Sequence, residues 1–152
     1  MRFEHDLLIP APVDVVWGLT VDVESWPAAT PTITSVVRLD DGPLGVGSRA
    51  RLRQPRQPER VWTVTRCEAP RCFEWETTLG PLRLRGGHHL SAEAGGCRNR
   101  LTLDVEGWGS GVFGRLLGRS LAGAIATENE GFAAVAAAVT AEGHDAAGAS
   151  SG

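Results

Sequence analysis

The sequence contains neither lysine nor tyrosine, and all 15 of its basic residues are arginine. Without lysine, chemistry through an ε-amine Schiff base is excluded. Basic residues are also not in excess. They are scattered among 18 acidic ones for a net charge of -3, so no positive field exists to hold a nucleic-acid backbone, and nucleic acid is not an expected partner. Only three cysteines occur, Cys67, Cys72 and Cys97, and they match no paired metal-ligand spacing. Cys67 and Cys72 flank a turn at Glu68-Ala69-Pro70-Arg71 and could approach each other, but buried free thiols are the expected state. No apolar run reaches 18 residues, so no membrane insertion is expected. The first ten residues, MRFEHDLLIP, lack the basic start and apolar stretch of a secretory signal, which reads as a cytoplasmic chain.

What is present is ordinary globular composition, 42% hydrophobic and 22% charged in 152 residues, enough for one domain with a real core. Arg2 to Ile9 alternates, with Phe3, His5, Leu7 and Ile9 on one side, as in a half-buried strand. Pro10 and Pro12 end it, and Val13, Val16 and Trp17 then recur at helical spacing. A second short helix is expected at Asp22 to Trp26, stopped by Pro27. From Thr32 to Glu106, strands alternate with Gly and Pro turns, which predicts six further strands in consecutive antiparallel pairing. Phe73, Trp75, Thr77 and Leu79 oppose Glu74 and Glu76. Leu82, Leu84, His88 and Leu90 oppose Arg83, Arg85 and His89, and Leu101, Leu103 and Val105 oppose Arg100, Thr102 and Asp104. The strand Arg60 to Cys67 has no clear inner side.

From Ser110 to Ala141 the period becomes helical. Leu117, Leu121, Ile125, Phe132, Val135, Ala136 and Val139 share one arc of about 100°. The free sheet face is the only large apolar partner, so the helix should lie in its concavity. The expected class is α+β: a helix-grip fold in which a seven-stranded curved antiparallel sheet wraps a long C-terminal helix, with two short helices after the first strand. The domain spans residues 1–141, and 142–152 read as a disordered tail.

This order of elements resembles the START-like or Bet v 1-like superfamily, in particular its polyketide cyclase/dehydrase and lipid-transport branch. The residues that carry the likeness are IPAPVDVVWGLTVDVESWP at Ile9 to Pro27, GVGSRARLRQP at Gly45 to Pro55, VWTVTRCEAPRCFEW at Val61 to Trp75 and GHHL at Gly87 to Leu90. The resemblance implies a cavity between sheet and helix rather than a particular reaction.

Several residues are candidates to line such a cavity. Leu117, Leu121 and Ile125 would form its helical wall, beside a ridge of Gly111, Gly114, Gly118, Ala122 and Ala126 that either leaves space or permits close packing. Among five tryptophans, Trp62 and Trp75 sit on strands, and Trp26 and Trp108 adjoin helix ends where a cavity rim would fall. Gln54 shares the inward parity of Ala50 and Leu52. His5, His88 and Glu128 place polar groups on otherwise apolar faces, and a buried carboxylate such as Glu128 needs a donor, a water or a ligand group. No nucleophile elbow or phosphate loop is present, and neither a metal nor a cofactor is expected. The expected function is binding of a hydrophobic small molecule, lipid or polyketide-like. The alternatives are an aromatase/cyclase, for which His88 and Glu128 are the catalytic candidates, and a protein-interaction module with a closed core. Sequence does not fix the oligomeric state.

Overall fold

The computed structural model describes residues 1–149, and of residues 148 and 149 the backbone alone. Strand β1 (Arg2–Ile9) is followed by α1 (Val13–Val21), a 3-10 turn (Val23–Ser25) and α2 (Trp26–Ala29). Then come β2 (Ser35–Arg38), β3 (Arg49–Arg53), β4 (Arg60–Glu68), β5 (Cys72–Leu79), β6 (Leu82–Glu93), β7 (Gly96–Gly107) and α3 (Ser110–Ala149). One antiparallel sheet has the order β1-β7-β6-β5-β4-β3-β2, so six strands follow in meander and β1 returns beside the last of them. The short helices carry the chain from one edge of the sheet to the other. Among the described residues no helix is long and apolar enough to cross a membrane.

The fold is the expected helix-grip class, with differences of physical interest. Pro27 does not stop the second helix; it occupies the first turn of α2, where its missing N–H costs nothing, and the helix runs on to Ala29. In β4 the register shifts between Val64 and Arg66. Trp62 and Val64 face the core, and the extra residue then turns Cys67 inward opposite Phe73 while Arg66 stays outside. This bulge is why the strand shows no single period in sequence. The helical backbone of α3 continues to Ala149, so the stretch read as a tail begins as helix; it holds no proline, and residues 142–147 lie exposed beyond the sheet. Residues 150–152 lie outside the described residues.

Part of the ridge of small residues on α3 serves packing, at Gly114 and Gly118, while Gly111 and Ala122 lie exposed. A Cβ at Gly114 would overlap the Met1 side chain, and one at Gly118 would lie 3.3 Å from Phe3. Strand β1 therefore presses its side chains into the helix where the ridge is smallest. The outer face is polar as its parity requires, although of Arg83, Arg85, Glu74 and Glu76 only Arg83 is exposed and the rest are half-buried; Arg85 and Glu76 pair at 3.8 Å.

Edge strand β1 is tied to β7 by charge. Arg2 makes a bidentate contact with Asp104 (2.8 and 2.8 Å), and Asp6 accepts from Arg98 and Arg100 at 3.0 Å each. Burial pushes the Asp6 carboxyl up, but the two arginine hydrogen bonds outweigh it and hold the group below its ordinary value. The hydrogen bond from Arg2 does the same for Asp104. A depressed folded-state carboxyl stabilises the fold above the unfolded value, roughly pH 3.9, and loses that contribution as pH falls through the folded value. Asp6→Asn is therefore expected to lower stability modestly at pH 7 and to converge on the parent as pH falls below about 4, which flattens the acid limb. Urea melts of both proteins from pH 7 to pH 3 would check it, and parallel curves would refute it.

Candidate functional site

A pocket of about 150 Å³ lies between the sheet and the middle of α3. Its walls come from four places. The indoles of Trp62 and Trp75 stack obliquely on the sheet, with centroids 5.2 Å apart. Leu121, Ala124 and Ile125 descend from the helix, Phe113 closes the helix's first turn, and Gln54 and Gln57 stand on the β3–β4 connection. Gln57 and Ser120 are exposed, whereas Trp26 and His88 are buried, so the pocket runs from a polar rim to an aromatic base.

The base is built by alternation on β6. Leu82, Leu84, His88 and Leu90 all point inward, which puts an imidazole where the pattern would otherwise place an aliphatic chain. Trp26 (5.2 Å), Phe73 (6.3 Å) and Phe132 (5.1 Å) surround the ring. The Trp26 indole N–H donates to the Leu19 carbonyl at 3.1 Å, which fixes this aromatic floor to the end of α1. His88 Nε2 stands 3.4 Å from Glu128 Oε1, the carboxylate that α3 lowers onto the sheet. The other ring nitrogen, Nδ1, is buried without a hydrogen-bond partner among the described residues. Such a nitrogen costs about 1–3 kcal/mol unless something pairs with it.

Opposite Trp75, β6 places Gly86. A Cβ there would lie 3.1 Å from Trp75 Nε1 and 3.7 Å from Trp62 Cζ3, so the bare backbone lets the indole pair lie flat on the pocket wall. Gly86→Val is expected to force the pair inward at a cost of about 1–3 kcal/mol. A urea midpoint unchanged from the parent would show that the indoles have room to yield.

Of the residues singled out from sequence, the fold brings Trp26, Gln54, Trp62, Trp75, His88, Leu121, Ile125 and Glu128 around one space. Three lie elsewhere. Leu117 is 43% exposed and Trp108 87% exposed: Trp108 precedes the helix, and the early turns of α3 meet the β1 end of the sheet through Gly114 and Gly118, which leaves Leu117 uncovered. His5 instead meets Asn129, which sequence reading missed. Asn129 Nδ2 donates to the carbonyls of Asn99 (3.0 Å) and His5 (3.2 Å) and lies 3.2 Å from His5 Nδ1, while Asn129 Oδ1 accepts from Asn99 Nδ2 at 3.1 Å. Asn99 and Asn129 are fully buried. The signal was available: Asn129 falls between Ile125 and Phe132 on the helix's inner face, and Asn99 has the parity of Leu101. Leu79, Leu84 and Gln57 also line the pocket and were not singled out for it.

The three thiols are free, and burial pushes all of them up, Cys72 to about 11. Cys67 faces the core and Cys72 the opposite side of the sheet, so their proximity in sequence does not bring the sulfurs together.

A curved antiparallel sheet gripping a long helix over an aromatic pocket defines a Bet v 1-like helix-grip protein. Residues 1–137 match the family described as polyketide cyclase / dehydrase and lipid transport, and the chain belongs to that family. Over 63 residues it is 36% identical to a Streptomyces halstedii protein named "Putative polyketide cyclase", a match covering 40% of this chain and 54% of that one, so the alignment spans about half the relative's length. Among solved structures, TTHA0849 from Thermus thermophilus superposes with a TM-score of 0.74 at 18% identity, covering 91% of this chain and 99% of that one. The di-domain ARO/CYC StfQ from the steffimycin biosynthetic pathway gives 0.72 at 14% identity, covering 92% of this chain and 51% of that one. These likenesses establish the fold.

Proposed function

We propose that this protein binds a compact hydrophobic molecule bearing oxygen substituents, polyketide-like rather than a long-chain lipid, in the pocket between α3 and the sheet. The observation that carries the reading is the contact between buried His88 and partly exposed Glu128 at the base of an indole-walled space. Flat aromatic walls favour ring-shaped guests, and a polar pair at the closed end selects for a hydroxyl or carbonyl. Volume argues the same way. A space of about 150 Å³ holds a small ring system, whereas most of a long acyl chain would lie outside it. The open pocket also weighs against an interaction module with a closed core.

Native mass spectrometry of freshly purified protein, followed by tryptophan-fluorescence titration with hydroxylated bicyclic aromatics, tests this reading. Saturable quenching with one equivalent is expected. Failure of every such compound, with binding of single-chain fatty acids instead, would overturn it.

A second reading, ring closure of a polyketide-like chain, is favoured by the same pair. One of the two groups would take a proton from the carbon between two carbonyls, and the other would hand a proton to the attacked carbonyl oxygen as the carbon–carbon bond forms. No redox partner is needed. Turnover of a poly-β-ketone analogue that is lost in both His88→Gln and Glu128→Gln would establish it, and binding without turnover would leave the carrier reading.

A further inference from the structure

We propose that the outer face of the sheet carries a metal site of zinc type, formed by Cys72, Glu74 and His89. The site lies on the opposite side of the sheet from the pocket base and does not depend on what the pocket binds. Sequence spacing conceals it, because the ligands come from two strands. The β5–β6 register sets Cys72 directly opposite His89, and Glu74 follows two residues later on the same face.

The distances from the sulfur are close to those a tetrahedral ion requires, and Glu74 Oε1 stands 3.8 Å from His89 Nε2. Cys72 Sγ lies 3.6 Å from His89 Nδ1 and 3.7 Å from the nearer Glu74 oxygen, and one ligand atom from each residue falls within 4.8 Å of the others. With zinc bonds of about 2.3 Å to sulfur and about 2.0–2.1 Å to nitrogen or oxygen, the sulfur edges of a tetrahedron come to about 3.6 Å. The sulfur needs little movement to ligate. A thiolate, an imidazole and a carboxylate suit zinc rather than magnesium or calcium, and three protein ligands leave a fourth position open.

Supporting contacts are in place. His89 Nε2 lies 3.2 Å from the Thr102 hydroxyl, which leaves Nδ1 to face the sulfur and orients the ring as an outer-shell partner does. Gly87 makes that contact geometrically feasible. A Cβ there would stand 2.8 Å from Thr102 Oγ1 and 2.9 Å from His89 Nε2. Arg66 does not claim Glu74: its guanidinium is held by Glu68 at 2.8 and 3.0 Å and reaches Glu74 only at 3.8 Å.

The test uses the full chain, stripped of metal with chelator and titrated with cobalt(II), then challenged with zinc. One equivalent should produce a thiolate-to-cobalt charge-transfer band and the intense visible bands of a four-coordinate ion, both removed by zinc. Cys72→Ser should abolish the charge-transfer band. His89→Gln, at a half-exposed position, should weaken binding at least about tenfold, as should Thr102→Val through the outer shell. Cys67→Ser should change nothing. Absence of the band in the parent, its survival in Cys72→Ser, or its loss in Cys67→Ser would each overturn the assignment.

Discussion

Asn129→Leu is expected to destabilise the protein by about 3 kcal/mol, although it exchanges a polar side chain for an apolar one of the same branched shape at a fully buried position. The reason lies in the partners it strands. Leucine leaves the Asn99 amide, itself fully buried, without its acceptor, and removes the donor shared by the His5 and Asn99 carbonyls. Each such unpaired group costs about 1–3 kcal/mol, which exceeds the gain from the added apolar surface. For a chain of this size the melting temperature should fall by roughly 10 °C. The double variant Asn99→Leu/Asn129→Leu should recover part of the loss, since removing both partners leaves fewer unpaired groups. A single variant as stable as the parent would mean that the network does not clamp α3 to β1 and β7.

Glu128→Gln is expected to weaken binding of a hydroxylated aromatic by about tenfold to a hundredfold while preserving the fold. A hydrogen bond to a charged group contributes about 1.5–3 kcal/mol, and every 1.4 kcal/mol is a factor of ten. Glutamine keeps the size and one acceptor, so the change isolates the charge. Fluorescence titration gives the affinity, and a thermal melt confirms that the fold is intact. Unchanged affinity would exclude Glu128 from contact with the ligand. If the protein also closes rings, the same substitution should lower turnover by about 10²–10⁴.

Several elements of this structure were legible in the chain because each is a local pattern with one physical reading. Alternation placed His88 inside among Leu84 and Leu90, and helical spacing placed Ile125 and Glu128 on the gripped face of α3. Leu117 shows the limit of that reasoning. It shares the apolar arc with Ile125, and its neighbour Gly118 packs on Phe3 of β1, yet it lies exposed because periodicity states which side of a helix is apolar, not which part of that arc is covered. The bulge in β4 erased the pattern of one strand, since a single inserted residue inverts every later side chain.

The sequence by itself determined the order of elements, the inward set on β5, β6 and β7, and the absence of lysine, because these depend on residue type and spacing over a few positions. Only the tertiary structure decided which inward groups share a space. His88 and Glu128 are 3.4 Å apart across 40 residues of chain, Asn99 pairs with Asn129 across 30, and Cys72 faces His89 across 17. Those meetings are fixed by strand register and by where α3 crosses the sheet, which are outcomes of packing the whole core at once and leave no mark in any short stretch of residues.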